Sequence, residues 1–221
     1  MKRRTLDILF SVAGLGLAAL LLIIGVVLSN NADFAKSYVR DQLSGQKISF
    51  PKASALTDEE RTASCVVANA GRPLLSGKQA ECYANQFIAL HLRSIPNTNG
   101  KTYAELGEVQ TQLRAQISAA QTSNSAAVPA LQKQLTDVTA ARETVFKGET
   151  LRGLLLTSYG FSVFGVKGAE VATVAYIVAA VLALIAIAGF VHAFVTPRTK
   201  TFAAPEPPAA ERGAETLATA P

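Results

Sequence analysis

The sequence predicts an all-α membrane protein in which two transmembrane helices flank an extracytoplasmic helical domain. Residues 8–28 and 171–195 contain no charged side chain, whereas charges are concentrated between these blocks and in the two tails. At about 1.5 Å per residue, the shorter block makes a helix of about 31 Å, which matches the hydrocarbon core of a bilayer. A soluble core would instead distribute its apolar residues periodically along the chain.

Basic residues beside the two blocks predict the topology. Lys2, Arg3 and Arg4 precede the first block, and Arg198 and Lys200 follow the second. Basic flanks are typical of the cytosolic ends of spanning helices, so we expect both termini in the cytosol and residues 30–170 outside the cytoplasmic membrane. This placement accounts for much of the net charge of +5, and we predict no nucleic-acid binding.

A cleavable signal peptide is the alternative interpretation of the first block. Signal peptides have an apolar region of about 7–15 residues followed by an A-x-A-like cleavage site. Residues 8–28 are longer than that, and residues 29–32 (SNNA) fit the cleavage pattern poorly. The sequence therefore favours an uncleaved anchor.

Six segments make up the predicted organisation. They are a basic cytosolic N-terminus (1–7), a first transmembrane helix (8–29), an extracytoplasmic helical domain (30–150), an interfacial amphipathic segment (151–170), a second transmembrane helix (171–196) and a disordered cytosolic tail (197–221). The uncharged run 153–166 is too short to span a bilayer, and Tyr159, Phe161 and Phe164 suit the headgroup layer. We expect this run to pack on the membrane or against the first helix.

Small residues recur in both blocks at a spacing that suits helix packing. Gly14 and Ala18 are four residues apart in the first block, and Ala175, Ala179 and Ala183 continue the same spacing in the second. Small side chains let helix backbones approach closely in lipid. A packing face between the two helices or with a partner is one interpretation, and the general abundance of Ala and Gly in spanning helices is the other.

Several helices are predicted between the blocks. The first transmembrane helix is expected to continue outward to Gly45, where glycine favours a helix end. Capping-box patterns begin at Thr57 and Thr102, predicting helices that start there. The first should run toward Ala70, and another helix should cover residues 78–94.

Two long amphipathic helices follow, and they predict an antiparallel helical hairpin. Apolar residues recur at spacings of three and four over 106–120 and over 128–145, with one gap at Arg142. The polar residues 121–127 form a short connection between the two patterns. Facing apolar stripes joined by a short loop are typical of such hairpins.

Cys65 and Cys82 are predicted to form a disulfide. They are the two cysteines of the chain and they flank a turn-rich segment at 71–77. Such a pair in an oxidising compartment favours a bridge, which would close a loop of about 17 residues and contribute about 3 kcal/mol. Two unrelated buried thiols are the alternative.

No pattern in the sequence predicts catalysis, a metal ion or a cofactor. His91 and His192 are the two histidines, and no other histidine or cysteine lies within a turn of His91. We expect His91 to be structural or exposed, and His192 to lie at the cytosolic interface. Metal sites need several such ligands at close spacing, and the known phosphate-loop and nucleophile motifs do not occur.

Four segments of the chain resemble a family of uncharacterised actinobacterial membrane proteins. The segments are NADFAK (31–36), GKQAECYANQ (77–86), RETVFKGE (142–149) and LLLTSYGF (154–161). The resemblance covers nearly everything except the tail and implies an envelope protein with the same two-helix plan and no known activity. Some members carry an aromatic ring-opening dioxygenase label, but that chemistry commonly uses two histidines and a carboxylate at one iron. His91 and His192 are predicted on opposite sides of the membrane, so we do not extend that label to this chain.

Two functions are consistent with these observations. The preferred one is a non-enzymatic envelope scaffold or accessory subunit that lies in the lipid bilayer and binds other membrane or envelope proteins, or a second copy of itself. The alternative is an extracytoplasmic sensory module that passes its signal to a separate protein.

Overall fold

The computed structural model describes residues 3–123 and 125–197, and its regular elements are helices. In the described residues, Ser49 and Pro73 form an isolated β-bridge and there is no named strand. The predicted all-helical class is confirmed over this part of the chain. The helices are α1 (Arg3–Gly45), α2 (Asp58–Arg61), α3 (Ser64–Ala68), α4 (Gly77–Cys82), a π-helix (Tyr83–Ile88), α5 (Ala89–Arg93), α6 (Tyr103–Thr122) and α7 (Val128–Val195), with a 3₁₀ turn at Ala53–Ala55.

The chain divides into two compact units. The first unit comprises Met1–Ser29 and Glu170–Pro221, and the second unit comprises Asn30–Ala169. Helices α1 and α7 each contribute to both units. The boundary between Ser29 and Asn30 falls within α1, which has 43 residues, and the boundary between Ala169 and Glu170 falls within α7, which has 68.

Helices α1 and α7 are long and apolar enough to cross a membrane. In the most apolar 18 residues of each, only 17% are buried. The central helix of a soluble protein would bury most of such a segment, because apolar surface left in water is unfavourable. The low burial therefore distinguishes both helices from ordinary core helices.

An apolar core in the second unit surrounds the C-terminal part of α1. Val39 and Leu43 of α1 are buried against Val66 of α3 and Leu155 of α7. Leu43 and Val66 have no exposed surface. This packing explains why α1 continues to Gly45, as the sequence predicted.

A second apolar cluster lies between α6 and the first part of α7. Leu106 and Leu113 of α6 pack with Val138 and Val145 of α7, all of them buried. The apolar stripes predicted from spacing thus face each other. The capping box at Thr102 is present, and the backbone hydrogen bond that Glu105 accepts from Thr102 lowers the pKa of the Glu105 carboxyl.

The prediction of one helix from Thr57 toward Ala70 is wrong. The capping box at Thr57 is present, but α2 ends at Arg61 and α3 starts at Ser64. The Thr62 hydroxyl donates to the carbonyl of Glu59 at 2.6 Å, and Ala63 is extended with ψ of 98°. This bend lets Val66 reach the core.

Residues 151–170 lie within α7, which is continuous from Val128 to Val195. Leu155 is 1% exposed, and Leu151 and Leu156 pack against the same core. A Cβ placed on Gly165 would lie 2.9 Å from the Cβ of Ala35, so α7 packs closely against α1 here. Packing against the first helix is therefore what the structure shows, and the interfacial placement stays a prediction.

Candidate functional site

A seam of small residues joins the two helices of the first unit. On α7, the buried residues Ala172, Ala179, Ala186 and Ala193 recur every seven positions. On α1, Ser11 and Ala18 are buried at the same interval. A seven-residue repeat keeps one side of each helix on its partner, and small side chains allow the backbones to approach.

The small residues predicted from sequence lie at this seam, with one exception. Ala18, Ala175 and Ala179 are 2%, 7% and 1% exposed. A Cβ on Gly14 would lie 3.6 Å from the Cβ of Ala186, which is ordinary contact across the pair. Ala183 is only half-buried, because the seam follows a seven-residue interval rather than repeated steps of four.

Two other glycines of the first unit allow still closer contacts. A Cβ on Gly25 would lie 2.7 Å from the Tyr176 ring, and one on Gly189 would collide with the Ser11 hydroxyl. The Tyr176 hydroxyl is 3.3 Å from that of Ser29. Any larger residue at Gly25 must therefore displace an aromatic ring.

His192 and Asp7 are in contact at the end of the first unit where α1 begins and α7 ends. The Nδ1 atom of His192 lies 3.0 Å from a carboxylate oxygen of Asp7. The Arg4 guanidinium lies 5.6 Å from the centre of the Phe194 ring. Arg3 and Arg4 belong to this end, whereas Lys2, Arg198, Lys200 and the predicted tail beyond Pro197 lie outside the described residues.

The first unit turns its large apolar side chains outward. Phe10, Ile23, Leu184 and Phe194 are 71%, 63%, 67% and 72% exposed. So many exposed large apolar side chains are uncommon on soluble monomers.

Cys65 and Cys82 form a disulfide in the second unit, as predicted. It joins α3 to the end of α4, with Cys82 buried and Cys65 half-buried. The Asn69 amide donates to the carbonyl of Cys65 at 2.8 Å and accepts from the Gln79 amide at 3.1 Å. The bridge and these hydrogen bonds together fix α3 against α4.

A groove of about 640 Å³ lies beside the disulfide. Amide, hydroxyl and charged side chains line it, among them Asn69, Gln79, Asn85 and the pair Lys78 and Glu81. Lys78 and Glu81 are 3.0 Å apart, and the hydrogen bonds that Lys78 makes to Glu81 and then to Tyr159 raise the pKa of Lys78. The groove has the size of a small-molecule site.

Arg142, the gap in the predicted apolar stripe, holds a polar network between α6 and α7. Its guanidinium donates to Gln110 at 2.8 Å and to the carbonyl of Tyr103 at 3.0 Å, and lies 3.9 Å from the Tyr103 ring centre. Gln110 is 3% exposed and also donates to Thr139. A Cβ on Gly107 would lie 2.9 Å from this guanidinium, so the glycine makes room for it.

An exposed aromatic face belongs to the second unit, formed by Phe34 and Tyr38 of α1 with Phe161 and Phe164 of α7. Tyr38 contacts both Phe34 and Phe161, with ring centres 5.7 Å apart in each case. Phe164 is 79% exposed. We call these four residues the aromatic face.

His91 was predicted to be structural or exposed, and it is exposed. It also has a partner that the sequence did not indicate. Its Nε2 lies 3.4 Å from a carboxylate oxygen of the buried Glu60, which is 31 positions away. Among the described residues, no group of three His, Cys, Asp or Glu side chains could hold a metal ion.

Comparisons with protein families, with curated proteins and with solved structures find no match for this chain. The resemblance to an actinobacterial family therefore stays a prediction.

Proposed function

We propose that this chain is a non-enzymatic scaffold or accessory subunit of the cytoplasmic membrane, anchored by two spanning helices. The two-helix anchor is supported by the way small and large apolar side chains are distributed over the first unit. The small residues of α1 and α7 face each other, while Phe10, Ile23 and Leu184 point outward. This arrangement suits a helix pair surrounded by lipid, since helix association there depends on close packing.

Both termini are proposed to lie in the cytosol, with residues 30–170 outside. Arg3 and Arg4 stand at the terminal end of the helix pair, where basic residues favour the cytosolic side. The Cys65–Cys82 disulfide suits an oxidising compartment. In this arrangement the second unit is extracytoplasmic, and α6 with the first part of α7 forms its antiparallel helical hairpin.

Partner binding is supported by the aromatic face. Aromatic side chains are enriched at the centres of protein interfaces, where they bury much surface at little cost in conformational entropy. The proposed occupant is another membrane protein. We expect its binding to depend on Phe161 and Phe164, which are exposed and directly precede the close contact at Gly165 on α7.

Crosslinking in native membranes followed by affinity purification tests this proposal. The variant Phe161→Ser with Phe164→Ser should lose a crosslinked partner that the unchanged chain retains. Phe146→Ser is the matched control, because Phe146 is 49% exposed on the same helix but stacks on Tyr103 instead. Recovery of the monomer alone from membranes, under several crosslinkers, would count against a scaffold.

The sensory module is the second candidate, and two observations favour it. The groove beside the disulfide has room for a small molecule, and α1 and α7 are continuous helices that contribute to both units. Cysteines introduced at Gly14 and Ala186 would report movement of the helix pair, because the Cβ positions are 3.6 Å apart. A ligand-dependent change in their crosslinking rate would favour the sensor over the scaffold.

A further inference from the structure

The disulfide of the second unit borders open space. Cys65 and Cys82 both line the groove of about 640 Å³. Cys65 is half-buried, whereas Cys82 is 6% exposed. Thiol–disulfide exchange requires that a thiolate reach one of the two sulfur atoms. The groove gives a reagent access to the bridge while the domain is folded, and the difference in exposure favours attack at Cys65.

A cationic side chain lies on the same helix face as Cys82. Lys78 and Cys82 are four positions apart on α4, and residues at that interval are neighbours on a helix surface. Hydrogen bonds from Lys78 to Glu81 and then to Tyr159 raise the pKa of its ammonium group, which is therefore charged at neutral pH. A nearby cation lowers the pKa of a thiol, and a thiol of lower pKa leaves faster in exchange. Glu81, at 3.0 Å from Lys78, offsets part of this charge.

Helix α4 has contacts that do not depend on the disulfide, whereas α3 has fewer. A Cβ on Gly77 would collide with the Ser162 side chain, so α4 packs closely against α7. Ala80 has no exposed surface. Helix α3 has five residues and is joined to α4 by the bridge and by the hydrogen bond from Gln79 to Asn69 at 3.1 Å. Cleavage of the bridge should therefore loosen α3 and leave α4 in place.

We propose that this groove is a thiol–disulfide exchange site, at which a thiolate of a dithiol reductant attacks the Sγ atom of Cys65. A bond forms between the incoming sulfur and Cys65, and the bond between Cys65 and Cys82 breaks. The Sγ atom of Cys82 leaves with the electron pair and takes a proton from water. The second thiolate of the reductant then attacks its own sulfur in the mixed disulfide and releases Cys65, which is protonated in turn. The chain gains two electrons and two protons, and the reductant becomes a disulfide.

The substrate class of this site is a dithiol, supplied by a small molecule or by a Cys-x-x-Cys pair on a protein. Both sources offer the same thiolate chemistry. The site is separate from the aromatic face, so it does not depend on the proposed scaffold role. Its product is a chain in which α3 is no longer covalently joined to α4.

Reaction of the folded full chain with glutathione, a monothiol, tests the point of attack. After acid quenching and alkylation of free thiols, trypsin separates the two cysteines because it cleaves after Lys78. Mass spectrometry should find glutathione on the Cys65 peptide and the alkylating group on the Cys82 peptide. The initial rate should double when the glutathione concentration is doubled. Glutathione mainly on Cys82, or a rate independent of its concentration because unfolding comes first, would overturn the proposal.

A matched pair of variants at Gln86 tests the groove. Gln86 is exposed and lines the groove. Gln86→Trp should narrow the groove and slow reduction by dithiothreitol, a small dithiol, severalfold, whereas Gln86→Ala should not slow it. Equal rates in the two variants, with circular dichroism spectra like that of the unchanged chain, would overturn the proposal.

A protein with a Cys-x-x-Cys pair, supplied at the same thiol concentration, distinguishes the two sources of the dithiol. Faster reduction than with dithiothreitol, slowed by Gln86→Trp, would support a protein as the reductant. Slower reduction would support a small dithiol. Failure of both reagents to reduce the folded chain would overturn the exchange site itself.

Discussion

Replacing Arg142 by methionine should destabilise the contact between α6 and α7 by about 1.5–4 kcal/mol. Methionine keeps the apolar stem but removes the donor that reaches Gln110 at 2.8 Å. Gln110 is 3% exposed, and an acceptor left unpaired there costs about 1–3 kcal/mol. The lost contact with the Tyr103 ring at 3.9 Å adds about 0.5–1 kcal/mol. Tyr103 itself is exposed, so water can replace the hydrogen bond at its carbonyl.

Equilibrium unfolding in mild detergent, followed by circular dichroism, measures this effect. Lys133→Met is the matched control on the same helix, because its pair with Asp137 is exposed and worth about 0.3–0.5 kcal/mol. The double variant Arg142→Met with Gln110→Leu removes both partners and should cost less than the sum of the single changes. An Arg142→Met variant as stable as Lys133→Met, or costs that simply add, would refute the reasoning.

Three further predictions concern the disulfide, the helix pair and a half-buried tyrosine. Replacing Cys65 and Cys82 by serine should lower the free energy of unfolding by about 3 kcal/mol, and a thermal midpoint unaffected by reductant would contradict this. Gly25→Leu should disrupt the helix pair whereas Gly16→Leu should not, because a Cβ at Gly16 meets nothing within 4 Å. Equal crosslinking of the two helices in both variants would argue against the seam. The raised pKa of Tyr83, caused by burial and then by Glu60, means that the unfolded chain loses this proton first. Stability should therefore fall above pH of about 10, and Tyr83→Phe should weaken that fall in an alkaline melting series.

Local sequence patterns predicted much of the fold. The two apolar blocks, the continuation of α1 to Gly45 and the capping boxes at Thr57 and Thr102 depend on neighbouring residues, so their signals are complete within a few turns. The disulfide was predictable because the chain has two cysteines, 17 positions apart.

Features that depend on distant residues were not predictable in the same way. Glycine inside a helix is usually destabilising, yet α7 continues through Gly148 and Gly165. At each position the missing side chain leaves room for a close contact, with the Leu92 side chain at Gly148 and with Ala35 at Gly165. The π-helix Tyr83–Ile88 has no pattern that distinguishes it from ordinary helix.

Parts of the candidate sites were missed for the same reason. Arg142 interrupted the apolar stripe, but its partners lie 32 and 39 positions away on α6. Gly107 and Gln110 on α6 were the available sequence signal for a polar partner of Arg142, because one leaves space and the other offers a hydrogen-bond acceptor. Contact between Glu60 and His91 has no such signal, because each residue alone is typical of a helix surface.

Reporter fusions test the central claim, a two-helix anchor with the second unit outside, most directly. A reporter active only outside the cytosol and one active only within it would each be fused to the N-terminus, to the C-terminus and at Ser123, which follows α6. The external reporter should be active only at Ser123, and the cytosolic reporter only at the two termini. External activity at either terminus, or cytosolic activity at Ser123, would contradict the proposed topology.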